Sequence, residues 1–151
     1  MTWKVFEDQS PELATLVYEK LDRKIAYLAT LRKDGSPRLH PVTPFIANGM
    51  LYIFTESSSP KIRDLNRDGR YALHCNVGGG GSLVEVEITG EAVVIQDLHL
   101  REPAQRYAAS SVIIDSYVLF EFHIRSVLVV EYDAGKPVIR RWRMEQAKRV
   151  E

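Results

Sequence analysis

A chain of 151 residues, 45% of them apolar, is long enough for one continuous core and short for two, so one domain spanning 1–151 is expected. Twenty Lys and Arg offset twenty Asp and Glu, which removes the charge argument for a nucleic-acid partner or an anionic membrane surface, so any anion site has to be local. One cysteine, Cys75, excludes an internal disulfide and a zinc site of several thiolates; with no membrane-length apolar run and no leader-like start at Met1 to Asp8, a cytoplasmic protein without a membrane partner is expected.

Ser10-Pro11-Glu12 combines a capping hydroxyl, a proline suited to the first turn and an acid near the positive helix end. It predicts a helix to about Leu21, with Leu13, Leu16, Val17 and Leu21 forming one apolar face. From Ile25 the texture changes to short β-rich runs punctuated by Asp34-Gly35, Asn48-Gly49 and Ala134-Gly135, which are hairpin signals. The first three runs, Ile25 to Leu31, Pro37 to Ile46 and Met50 to Thr55, read as a meander. Ser59-Pro60 repeats the helix-start chemistry for a short helix, Lys61 to Asn66, that ends at Asp68-Gly69. A strand from Tyr71 to Val77 follows, then a second from Leu83 to Ile88 that continues through Gly90 to Ile95. A polar helix from about Leu98 to Ala109 precedes a long β-run, Tyr117 to Tyr132, and a final strand, Pro137 to Met144.

Many antiparallel strands with brief helices between them favour a mainly β fold, a closed or partly open barrel, with a sandwich as the alternative. No Gly-x-Gly-x-x-Gly joins a strand to a helix, so a dinucleotide-binding Rossmann domain is not expected. The run Gly78 to Gly81 lacks the Lys-Ser/Thr pair and helix start of a phosphate loop and reads as a mobile loop. His40, His74, His99 and His123 have no metal-ligand spacing, so no metal is expected.

The corner from Thr55 to Lys61 is the strongest local signal for an anion. A helix start exposes unpaired N–H groups and partial positive charge, and Lys61 and Arg63 add full charges on the first turn. The plainer alternative is that Ser59 caps a connecting helix whose cations lie in solvent.

The segments Ala29 to Arg38, Pro41-Val42, Leu51 to Thr55 and Ser59 to Leu65 stand in the order and spacing of a known family. In them the chain resembles the pyridoxamine 5'-phosphate oxidase-like FMN-binding proteins, over roughly residues 20 to 95 and more weakly beyond. The resemblance implies an antiparallel split β-barrel with a few short helices and FMN at a homodimer interface. It implies that Arg38 joins Lys61 at the flavin phosphate, with Ser59 and Arg63 at the same corner. Leu39, His40, Val42 and Thr43 would run beneath the isoalloxazine ring, and Phe54 and Thr55 would complete the cradle. Bottom-up, Arg38 also reads as a surface arginine beside a hairpin, and Pro41 as a plain bend. Trp142, within the basic run Arg140 to Arg143, would approach the shared site or else cover the barrel end.

Two departures separate the chain from the oxidase proper. A lysine stands there near Thr43, and an arginine where this chain has Pro60; the chain is also expected to lack the C-terminal segment that holds the substrate phosphate. The expected function is therefore a flavin-dependent oxidoreductase acting on a small-molecule substrate, with no residue assigned as catalytic. A deazaflavin coenzyme on the same fold, or a non-catalytic flavin, haem or tetrapyrrole carrier, are the competing readings. The apolar run Val127 to Val130 would serve either a dimer face or the barrel core.

Overall fold

The computed structural model describes residues 1–79, 82–107 and 117–145. The first two elements are helices, α1 (Trp3–Gln9) and α2 (Pro11–Leu21). Helix α2 starts with the expected Pro11 in its first turn. Helix α1 was not anticipated: Thr2 caps it by accepting from the Val5 N–H at 3.3 Å, and Trp3 and Phe6, one turn apart, are buried. Both helices press their apolar faces into the main core.

The strands are β1 (Ala26–Leu31), β2 (Pro37–Val42), β3 (Phe45–Ala47), β4 (Met50–Thr55), β5 (Arg70–Gly79), β6 (Ser82–Ile95), β7 (Val118–Asp133) and β8 (Lys136–Arg143). Helix α3 (Pro60–Arg67) joins β4 to β5, and α4 (Leu98–Tyr107) follows β6. The expected run Pro37 to Ile46 is two strands, because Thr43-Pro44 interrupts it and the Pro44 carbonyl accepts from the Arg23 N–H at 2.8 Å instead. Gly78 and Gly79 are paired strand residues opposite Leu83 and Ser82, so at least this part of the glycine run is hairpin rather than mobile loop; residues 80 and 81 lie outside the described residues, as do 108 and 109 of the expected second helix.

All described ladders are antiparallel, in the order β2-β1-β5-β6-β7-β4-β3, with β8 also on β7. The two ends of that path, β2 and β3, are neighbours in the chain, so the sheet has to curl until its ends approach. This is the mainly β split barrel. One edge of β7 serves two strands in turn, β4 over Val118–Phe122 and β8 over Ser126–Asp133, and there the barrel wall divides.

Alternation decides which side chains enter the core. Ala26 and Leu28 of β1 and Val127 and Val129 of β7 point inward and are buried, whereas Tyr27, Leu128 and Val130 lie on the other face. The aliphatic run in β7 thus divides between core and exterior. A second, smaller cluster of Phe45, Ala47, Tyr52 and Leu119 is covered by Ala104 of α4. Asn48 and Gly49 both have positive φ, 51° and 73°, as a two-residue hairpin turn requires. Among the described residues no helix is long and apolar enough to cross a membrane.

The β6–β7 ladder slips at Thr89/Gly90, where Ser126 pairs Thr89 and Ile124 pairs Gly90, leaving Arg125 as the extra residue of a bulge. A Cβ on Gly90 would stand 1.8 Å from the His123 carbonyl oxygen, so the two backbones can approach only because this residue is glycine. Gly90→Ala is expected to destabilise the fold by about 2 kcal/mol or more, read as a lower midpoint in urea.

Candidate functional site

Among the described residues β2 pairs only with β1, Arg38 opposite Thr30 and His40 opposite Leu28, so these four share the inward face. Helix α3 closes over this end of the barrel and brings Asp64, 3% exposed, against them. Thr30 Oγ1 donates to Asp64 Oδ2 at 2.8 Å and Arg38 Nε to the same oxygen at 2.7 Å. Arg67 Nη2 donates to Asp64 Oδ1 at 3.2 Å and to the Leu31 carbonyl at 2.7 Å. Burial by itself would raise the Asp64 pKa, but the hydrogen bonds from Arg38, Thr30 and Arg67 outweigh it and hold the carboxyl below its ordinary value.

One turn nearer the start of α3, Lys61 Nζ donates to Ser59 Oγ at 3.0 Å. Ser59 is the N-cap residue, yet its side chain makes no capping bond to the helix, and the first-turn N–H groups keep their positive field. Partial burial pushes the Lys61 pKa down, with Glu56 acting in the opposite sense. His40 sits in the field of this cluster: burial lowers its pKa first, then Lys61 and Arg38, while Asp64 opposes them. Its ring is therefore neutral at pH 7.

Among the described residues two buried polar atoms have no partner, His40 Nε2 and Thr55 Oγ1. His40 lies on β2 in the field of Lys61 and Arg38, and Thr55, 2% exposed, ends β4 four residues before Ser59 in the chain. An orphaned buried group is costly, and beside two cations His40 Nε2 is what a polar ligand would satisfy. On its other side α3 turns Ile62 and Asn66 toward a cleft of about 740 Å³, shared with Gln96 and with Arg101 of α4.

Of the residues singled out from the sequence, the fold gathers Arg38, His40, Ser59 and Lys61, with Thr55 at the same corner. The others it distributes elsewhere. Leu39, 68% exposed, points to the outer face, and Val42 is a core residue. Thr43 is exposed between β2 and β3, and Arg63 is exposed on α3. Phe54 faces away from Thr55, stacking on Phe45 at 5.7 Å with the Arg101 guanidinium 5.3 Å from its ring centre. Trp142 is buried under α1, 5.1 Å from Phe6, its Nε1–H donating to Gln9 Oε1 at 3.0 Å; of its two expected places it takes the cover of the barrel. Asp64 and Thr30 were not anticipated as site residues. The available signal was Thr30, a polar residue at an inward position of the alternating run Ala26, Leu28, Thr30. Among the described residues no His, Cys, Asp and Glu group could hold a metal ion.

A family model described as pyridoxamine 5'-phosphate oxidase matches residues 13–131. Among solved structures the chain is similar to an FAD-binding protein from Mesorhizobium loti, with 19% identity, a TM-score of 0.65, and coverage of 80% of this chain and 95% of that one. It is similar also to the FAD-binding protein from Mycobacterium smegmatis, at 14% identity and TM-score 0.62, over 86% of this chain and 97% of that one. A haem-binding protein from Mycobacterium smegmatis aligns at 16% identity and TM-score 0.66 over 82% of this chain, which spans 55% of that one. No curated protein matches the chain. At these identities the structural likeness speaks for the fold alone.

The depressed Asp64 pKa carries a pH signature. A carboxyl that ionises more readily when folded adds stability above its unfolded pKa of about 4 and loses that contribution as pH falls through the folded value. Asp64→Asn is expected to be less stable than the wild type at pH 7 but to lose less stability on acidification below about pH 4, so the two curves of unfolding free energy against pH converge in acid.

Proposed function

The chain belongs to the pyridoxamine 5'-phosphate oxidase-like split-barrel family, and from that premise we propose that it binds FMN at the β2–α3 corner and acts as an oxidoreductase on a small molecule. The observation that carries the reading is the arrangement around Lys61: two cations, a helix start whose N-cap side chain makes no capping bond, and a buried His40 Nε2 without a partner among the described residues. Lys61, Arg38 and the first turn of α3 would hold the phosphate, a charge match with geometric selectivity from the guanidinium. His40 would hydrogen-bond the rest of the ligand, with Thr55 proposed beside it, and β2, paired on one edge among the described residues, would offer backbone groups. Bound flavin supplies hydride chemistry, and the protein supplies binding, orientation and exclusion of water. A neutral His40 is suited to a hydrogen bond at pH 7 without adding a third full charge beside Lys61 and Arg38.

The FAD-binding structural neighbours are in keeping with a flavin, as the haem-binding one is with the competing haem reading. Against the original oxidase chemistry stand Thr43 and Pro60, where that enzyme has lysine and arginine. We propose in addition a homodimer through the outer face of β1 and β2, where Tyr27 and Leu39 are exposed beside Pro37 and Pro41.

Purified protein titrated with FMN is expected to bind it, and Lys61→Ala to weaken binding by about tenfold or more. His40 gives an independent readout. By NMR it is expected to titrate below the ordinary imidazole value of about 6.5 in the free protein and to move upward when the FMN phosphate adds negative charge nearby. Preference for the deazaflavin coenzyme would replace FMN within the same reading, a Soret band would make the protein a haem carrier, and failure to bind any of these would overturn the proposal.

A further inference from the structure

Helix α3 carries a residue that the phosphate reading does not use. Asp64 is a carboxylate in the anion corner, where a negative charge opposes the ligand. It is also buried, and a buried ion pair is weak support for stability, since apolar residues of similar volume often do as well. Its geometry is more informative. Both Arg38 and Thr30 bond to Oδ2, at 2.7 and 2.8 Å, while Arg67 takes Oδ1. Arg38 spends only Nε on this contact, and its four Nη hydrogens have no partner among the described residues. Its side chain is 25% exposed, so the guanidinium lies at the boundary of the corner rather than in the core.

We infer that Asp64 is a positioning residue: it clamps Arg38 by Nε so that the two Nη groups are held ready, with Lys61, for the oxygens of a phosphate monoester. This rests on the reading of the corner as a phosphate site. A guanidinium on three flexible methylenes loses rotamer freedom when it binds an anion, and an arginine already held by one edge loses less. Asp64 also sets the local charge. It is shared by two of the nearby cations, Arg38 and Arg67, which leaves the corner positive for an anionic monoester.

The two roles of the carboxylate have opposite signs. Removing its charge makes the corner more positive and, by Coulomb attraction alone, tightens an anion. Removing the clamp frees Arg38 and weakens it. The decisive experiment titrates wild type and Asp64→Asn with FMN and with riboflavin, which lacks the phosphate. If Asp64 positions Arg38, the variant loses about tenfold in FMN affinity while riboflavin affinity changes less than about twofold. An equal loss for both ligands would reduce Asp64 to a structural role, and FMN binding as tight as wild type or tighter would make it only a charge; either result overturns the inference and leaves the flavin reading standing. Wild-type protein that binds neither ligand overturns both.

Should Asp64→Asn fail to fold, Arg38→Lys keeps the charge without an Nε donor and is expected to show the same selective loss of FMN, and its absence counts equally against the inference. The clamp has a readout that needs no flavin: the Arg38 Nε–H resonance is expected to be shielded from solvent exchange in the wild type and to lose that protection in Thr30→Val or Asp64→Asn. An unprotected wild-type resonance would overturn the inference directly.

Discussion

Among the described residues β2 has a ladder on one side, and a buried carboxylate ties it to the helix that covers its inward face. Asp64 accepts from β1 through Thr30, from β2 through Arg38 and from its own helix through Arg67, so three elements meet on two oxygens. A buried charge is tolerated only when its hydrogen bonds are complete, and here they are numerous enough to reverse the burial penalty on its pKa. This contact, with Leu65 of the same helix packed in the main core, places α3. With α3 placed, its first turn, Ser59 and Lys61 fall beside His40, and the corner exists.

The same arrangement explains why the corner is electrostatically unfinished. Asp64 offsets one positive charge among three, and Lys61 is left on a neutral hydroxyl. His40 responds by staying neutral, and its Nε2 has nothing to bond. Elsewhere in the barrel such groups are satisfied: the Tyr71 hydroxyl reaches the His123 carbonyl, and Thr89 and Ser126 share a bond at 2.6 Å. Among the described residues only His40 Nε2 and Thr55 Oγ1 are left buried and unsatisfied, and His40 lies where a ligand would complete the structure.

Turn chemistry made most of the fold legible. Asp34-Gly35, Asn48-Gly49 and Ala134-Gly135 all mark hairpins, and Ser59-Pro60 marks the start of α3. Helix α1 was hidden because seven residues with two buried aromatics offer too short a period to recognise. Pro44 hid the break between β2 and β3, since a proline within a β-rich run marks an edge as readily as an end. Within the site, Arg38, His40, Ser59 and Lys61 were legible from family likeness and helix-start chemistry. Asp64 was not, because its partners lie 26 and 34 residues away and no local pattern encodes such a meeting. Family resemblance pointed Phe54 to the site and the basic run Arg140 to Arg143 pointed Trp142 there, whereas alternation along β4 and the aromatic contact with Phe6 take their side chains elsewhere.

The bond between Trp142 and Gln9 spans 133 residues and joins the last described strand to the first helix. Phe6 completes its ring contacts only when that indole arrives, because it packs directly on it. During synthesis α1 therefore emerges long before its counterpart does. The barrel reaches its final packing after β8 has left the ribosome, and until then Phe6 and Gln9 of the growing chain lack their partner.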